Sequence, residues 1–568
     1  MSRKPSHLPN PHALPEPPRE LAPTLGGRTV RRRDFLNGLL IGASAALLGA
    51  GAAGCKKGET ESTPDPLPSG QDKGDNNSIC HQVRDGKTWE IPAATGDLYD
   101  CVVIGGGISG LCTAWRLQKL GATKILVLEK DEPIGGFAKL DGPAEGAWGQ
   151  AAAYTVFPYN DNLIEVYTDL GVITGLDAEG SPIIDPKYLL QAPVNNAFID
   201  GKWYAEPWDA GIDDLPYDDA LKADLKAFRD DMLAWYDYVG ADGLTGFDTP
   251  SDASTTDPDV RALDEVTFAE YIASKGWSSK VADFYTPYCR SAFGTTPDAL
   301  SAWAAINFFG SEFQPSMSQP GGNAYLAKKF ADKVGAANIV TKAFVLQVKN
   351  DTDRVLVSYM DADDVVTTLQ AKAAVYAGPR YIAKYLLPDL VAANRFEAKD
   401  FHYTPYLVAN VHVSKTPAGL GYDNWIHGQQ LMFTDVILAD WAGLADAANA
   451  PLSRANTITC YCPLTGAGQR EELLLKRFED YEKLVLDDLE KVFPGLGDTV
   501  TGVDLYRWGH AMLISGKGFI FGASRVGSQK AEGLISFACH DVDGLPAFEN
   551  AVASAYRAST EVAAVLGL

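Results

Sequence analysis

The run Tyr99–Gly110, YDCVVIGGGISG, and the run Ile125–Glu129, ILVLE, decide how this chain folds. An apolar strand leads straight into a Gly-x-Gly-x-x-Gly turn made of Gly105, Gly107 and Gly110, and a helix opens behind it. The next strand ends in an acid, Glu129. Gly105 permits the tight turn, Gly107 lets the backbone approach a pyrophosphate, and Gly110 lets helix and strand pack closely. Ser109 lies in the same turn and is counted with them as a cofactor-binding residue. The helix N-terminus supplies free N–H groups and partial positive charge, and Glu129 is placed to accept hydrogen bonds from ribose hydroxyls. The spacing therefore predicts a βαβ unit that holds a dinucleotide.

The residues just after Glu129 favour FAD over NAD. A second glycine doublet, Gly135-Gly136 in EKDEPIGGFAK, brings the chain back toward the cofactor, where a side chain would collide. The N-terminus points the same way. Residues 1–55 read as an export leader: Arg31-Arg32-Arg33-Asp34-Phe35-Leu36 fits a twin-arginine signal, followed by an apolar stretch and Ala52-Ala53-Gly54-Cys55, which resembles a lipobox. Twin-arginine export carries folded proteins, so a tightly held cofactor is loaded first. The expected location is periplasmic, either soluble after ordinary cleavage or anchored to the membrane through a lipid on Cys55. Residues 56–96 read as a flexible tether, on the Pro/Gly/Ser composition of their first half.

Composition sets further bounds. Of 568 residues, 46% are hydrophobic and 21% charged, as in ordinary globular protein, and the net charge is −24. The first 33 residues carry seven Lys/Arg against two Glu, so the remainder is more acidic still. Such a surface disfavours nucleic acid and mildly steers cations. Eight cysteines and eight histidines show no metal-ligand spacing, and no metal site is expected. Cys460 and Cys462 fall on one face of an alternating apolar strand, where packing explains them.

The remaining chain alternates between two domains. Residues 97–160, 316–390 and 509–568 are assigned to the dinucleotide domain, and 161–315 and 391–508 to an interleaved substrate domain. Val345 and Gly378, at the ends of strands in the second dinucleotide segment, are expected to approach the nucleotide. The loop 241–262 reads as solvated, and 468–493 as one charged helix. Near the C-terminus, an apolar strand, the acid Asp541 and a helix started by Pro546-Ala547 follow in succession. Asp541 is expected on the ribityl chain, and the helix N-terminus on the flavin ring.

VVIGGGISGL, LEK, IGG, GTTPDALSAWAA, PGGNAYLAKKFADKV and FACHDVDGLPAFENAVASAYRA together resemble the flavin-containing amine oxidase superfamily. The leader RRRDFLNG and the run RWGHAM resemble its bacterial spermidine dehydrogenase-like members. The resemblance implies an α/β fold, with a Rossmann-type FAD-binding domain and an interleaved α+β substrate domain, and oxidation of a C–N bond by hydride transfer to flavin. The sequence departs from the family in two places. Ala538-Cys539-His540-Asp541 replaces the usual Ala-Gly-acid, and the strand Tyr406–Val413 lacks the lysine associated with oxygen reactivity. The second departure favours a dehydrogenase over an oxidase.

Hydride transfer from an amine needs a dry aromatic cage and one group to orient the nitrogen. Trp508 and His510 in RWGHAM are the first candidates for cage wall and orienting group, with Phe548 and Tyr406 as further cage residues. The expected partners are a small-molecule substrate, with amines and polyamines first, and an electron acceptor that is a quinone, a cytochrome or oxygen. Two alternatives stay open: a flavoprotein desaturase or porphyrinogen-type oxidase acting on an apolar molecule, and a tethered flavin electron carrier.

Overall fold

The structure, a computed structural model, describes residues 70–568 apart from 76, 143–146, 154, 156, 179, 191–193, 314–315, 320, 394–399 and 439–455. The twin-arginine run and Cys55 lie outside the described residues. The chain enters through β1 (Gly70–Gly74) and α1 (Asn77–Arg84), then forms β2 (Leu98–Ile104), α2 (Ile108–Lys119) and β3 (Ile125–Leu128).

β2 and β3 lie in a seven-stranded sheet. Ile339–Val340, β3, β2, Val366–Tyr376 and Ile535–Phe537 run parallel, and the antiparallel strands Arg354–Met360 and Phe344–Asp351 extend one side. The two central strands are apolar on both faces, as a parallel sheet covered on each side demands. α2 packs on one face between the helices Ala324–Val334 and Phe548–Leu566.

The second sheet has eight strands, in the order β1, Val500–Leu513, Tyr403–Val413, Thr457–Pro463, Asp435–Leu438, Asp423–Ile426, Asn195–Ile199, Lys202–Ala205. Its register assigns a job to each face. Val408 lies opposite Tyr506 and Tyr461, and Asn410 opposite Asp504 and Thr459, so these six share a face. That face, rich in Tyr, Trp and Asp, looks toward the nucleotide unit. The opposite face carries Leu407, Ala409, Val411, Cys460 and Cys462, buried against Tyr481, Val485 and Leu489 of the helix Phe478–Val492. A cluster of helices (Asp219–Tyr236, Phe268–Ser274, Lys280–Phe293, Ala302–Phe309) covers the far end of the sheet through Phe228, Tyr285 and Phe309. Among the described residues no helix is long and apolar enough to cross a membrane.

Four expectations need correction. The tether stops by residue 70: β1 adds a parallel strand to Val500–Leu513, and α1 packs on the nucleotide sheet. Backbone pairing supplied what an almost side-chain-neutral GQDKG run does not advertise. The strand Val500–Leu513 continues five residues past the expected domain boundary at 508. The charged helix at 468–493 is two helices, Gln469–Leu475 and Phe478–Val492. The loop 241–262 is pinned where Ser251 donates from N and Oγ to the Asp543 carboxylate and backbone carbonyl (3.1 and 2.9 Å).

Candidate active site

One cavity of about 1990 Å³ runs between the two sheets, larger than the ~300–1,000 Å³ of common ligand pockets. At one end stands the glycine turn. Gly107 bridges Gly135, and Gly135 N–H donates to the Gly106 carbonyl at 2.9 Å, so the two loops form one cradle. Gly135 has φ +130°, and a Cβ there would sit 2.0 Å from the Ala138 carbonyl oxygen. α2 begins at this cradle with no side-chain cap, leaving first-turn N–H groups open to an anion. Glu129 accepts from Gly106 N–H (2.7 Å) and Asp131 N–H (2.8 Å). Each carboxylate oxygen keeps a further lone pair for a ribose hydroxyl. A backbone cradle, an uncapped helix and a buried acid in this order fit the dinucleotide.

Beyond Glu129 lies a charged network that no sequence motif marks. Lys130 Nζ meets Asp75 and Asp131, both at 2.7 Å, and the buried Lys139 also bridges to Asp131. Burial works against the Lys130 charge, but Asp75 and Asp131 outweigh it and hold its pKa above the usual lysine value.

The other end is aromatic. Trp508 donates its indole N–H to the Gln150 carbonyl (3.3 Å), meets Phe137 edge-on at 5.2 Å, and lies under Lys139 at 5.5 Å. His510 stacks on Tyr381, with centroids 4.1 Å apart and planes at 21°, while Tyr403 stands across it at 6.1 Å. Burial, reinforced by the nearby Arg470, pushes the His510 pKa down to about 4, so its imidazole is neutral near pH 7. Arg470 is itself fixed, donating Nε to the Gly509 carbonyl (2.8 Å) and Nη2 to that of Tyr403. Ala547 and Phe548, at the uncapped start of the C-terminal helix, close this end.

Of the candidate residues, Gly105, Gly107, Ser109, Glu129, Gly135 and Gly136 line the cavity. So do Val345, Gly378, Trp508, His510, Asp541 and Ala547. Gly110 stands behind the wall, where a Cβ would lie 1.9 Å from the Gly105 carbonyl oxygen, so its part is helix–strand packing. Pro546 is buried off the cavity, two residues before the helix it was expected to start. Tyr406 also lies off the cavity, packed on Tyr461. Asp541 reaches the wall, but its carboxylate is taken. It accepts from Arg380 N–H (2.8 Å) and the Tyr403 hydroxyl (2.6 Å), with His540 Nε2 at 3.1 Å. Burial would raise its pKa, yet His540 and these donors hold it below the usual carboxylate range. Asp541 thus braces the Tyr403 and Arg380 segments at the cavity wall. Its neighbours Cys539 and His540 bring ligand-type atoms within 4.8 Å of it and of one another. Tyr381, Tyr403 and Arg470 escaped sequence reasoning because no local motif marks them.

The chain is similar to several known proteins. L-amino acid dehydrogenase of Synechocystis sp. is 23% identical over 53% of this chain and 61% of its own length. The chloroplastic protoporphyrinogen oxidase of Oryza sativa is 24% identical over 57% of this chain and 61% of its length. The chain therefore matches about three fifths of each relative. Cyclohexylamine oxidase of Brevibacterium oxydans shares the fold, with a TM-score of 0.59 at 18% identity over 83% of this chain and all of that one. The model of the flavin-containing amine oxidoreductase family matches residues 108–563. This chain belongs to that family of flavin-containing oxidoreductases, with FAD as the cofactor.

Proposed function

We propose that this chain oxidises an amine, with polyamines first among the candidates, at the carbon next to nitrogen. The observation that carries the reading is the cavity end where Trp508, Tyr381 and a neutral His510 converge. Bound FAD supplies the hydride acceptor for such chemistry. The chain's own residues supply the rest. Trp508 and Phe137 wall the site against water, and His510, uncharged, accepts a hydrogen bond from the substrate nitrogen without repelling a cation. Asp541 is not free to act as base, because its carboxylate is already bonded.

The lack of lysine on Tyr403–Val413 supports a dehydrogenase that passes electrons to a quinone or cytochrome rather than to oxygen. The leader supports export by the twin-arginine route to the periplasm, soluble or held by a lipid on Cys55. Fractionation with Arg31→Lys and Arg32→Lys variants tests that location.

A second reading, oxidation of an apolar non-amine, draws support from the half-exposed Leu474 at the cavity rim beside the exposed Leu475. Anaerobic mixing with spermidine, putrescine and simple amines separates the two. Bleaching of the flavin by one amine supports the first, and readmitting air then tells oxidase from dehydrogenase. A flavin bleached by dithionite but by no amine favours the second.

A further inference from the structure

Residues 70–75 and 77–84 precede the segment matched by the family, which starts at residue 108, yet several of them, from Asp72 to Arg84, form part of the cavity wall. β1 is bound to the substrate-side sheet. Its residues pair with Val503–Arg507, Asp75 N–H donates to the Arg507 carbonyl at 3.0 Å, and Asp72 bridges Arg507 at 2.8 Å. Its end is fitted closely, because Gly74 has φ +112° and a Cβ there would sit 2.3 Å from Arg507 N. α1 is bound to the nucleotide sheet instead. Ile79, Cys80 and Val83 cover Phe344, Leu346 and Met360, three residues that form a small core of their own. Between them Asp75 bridges Lys130, the residue next to Glu129. The segment therefore spans both bodies across the cavity, with Asp75, Cys80 and His81 on its inner side.

We propose that residues 70–84 are a third component of the dinucleotide site, a strap that holds FAD in and must detach before FAD can leave. The attachment suits local opening. Its ion pairs are partly exposed, and its apolar footing is mainly a three-residue cluster, with Val83 alone of the α1 residues also touching the larger core of the nucleotide sheet. Segments tied down in this way open on their own, without global unfolding. Binding is reciprocal: a strap that retains FAD is in turn held closed by FAD. This inference rests on the cofactor alone and stands whether or not an amine is the substrate.

The test uses the full chain loaded with FAD. Release is followed as recovery of free-flavin fluorescence after dilution, and hydrogen exchange of residues 70–84 is followed with FAD bound and removed. Gly74→Ala combined with Asp75→Ala should speed FAD release at least about tenfold. Asp230→Ala, an equal charge loss at an exposed bridge to Arg229, should leave it unchanged. Amides of 70–84 should exchange at least about tenfold faster once FAD is removed. Release within twofold of the unaltered protein overturns the strap. So does exchange of 70–84 that ignores FAD, and that measurement needs no variant to fold.

Discussion

Gly110 offers a sharp test of the cradle. A Cβ at this position would lie 1.9 Å from the Gly105 carbonyl oxygen and 3.3 Å from Ala377 Cβ, whereas real Cβ contacts stay above 3.0 Å. Gly110→Ala must therefore push α2 more than an ångström away from the end of β2. The closest partner is the backbone of Gly105, which follows the buried Ile104 at the end of β2, so nothing flexible can give way. Overpacking a tight core costs about 1–3 kcal/mol, and a clash with a main-chain carbonyl belongs at the top of that range. The same shift moves the N–H groups of the first turn away from the pyrophosphate position. About 3 kcal/mol lost there corresponds to a roughly hundredfold weaker grip on FAD, at 1.4 kcal/mol per tenfold. Gly527→Ala is the control. Gly527 sits in the helix Ala523–Ser528, with nothing within 4 Å of an added Cβ, so alanine there should be neutral or stabilising by up to about 1 kcal/mol. Urea unfolding of the apoprotein reads the first quantity, and flavin fluorescence titration reads the second. A Gly110→Ala protein that binds FAD within threefold of the parent would refute the packing argument.

Burial pushes the Asp543 carboxyl up from 3.8 to about 6. Unfolded it ionises near 4, so its contribution is most favourable at low pH and is lost as pH rises through 4 to 6, a change of about 3 kcal/mol. Asp543→Asn should therefore raise the urea midpoint at pH 8 and leave it alone at pH 3.5; a lower midpoint at pH 8 contradicts this. Tyr403→Phe removes a donor from the buried Asp541 carboxylate and should cost about 1–3 kcal/mol, seen as a lower melting temperature with FAD bound. His510→Phe keeps the ring stack on Tyr381 but loses the acceptor nitrogen. Anaerobic flavin reduction by the substrate amine should slow on the order of a hundredfold, with the FAD content unchanged. Because the pKa of His510 lies at about 4, this residue should add no inflection to that rate between about pH 6 and 9.

The parts of the site legible in the sequence are those in which the backbone itself does the binding. Gly105 and Gly135 announce themselves because a positive φ and a close approach leave room for no other residue, Gly107 because a side chain there would stand where the pyrophosphate is expected, and Glu129 follows at a fixed distance along one βαβ unit. The aromatic end was half legible. Trp508 and His510 stand two apart on one strand, but their companions come from Arg380–Leu386, Tyr403–Val413 and Gln469–Leu475. Only the tertiary fold brings those segments together, and nothing local in them foretells it. Asp541 could be found but not understood: an acid after an apolar strand suggests a ligand contact, while its partners Tyr403 and Arg380 are more than 130 residues away. β1 was missed for a related reason. Strand pairing draws on main-chain groups common to every sequence, so GQDKG reads as linker until its partner strand is in view.

The place of β1 in the eight-stranded sheet has a consequence for solubility. Without it, the 14-residue strand Val500–Leu513 would form the open border of the sheet, with a row of free N–H and C=O groups over mostly buried side chains. Such a border recruits strands from other molecules. β1 covers the Val503–Arg507 stretch of it with five residues bearing two glycines, an aspartate and a lysine, too short and too polar to recruit another chain. Shortened forms beginning after residue 75 should therefore self-associate, and oligomers seen in them would report an uncovered sheet edge rather than the assembly state of the intact protein.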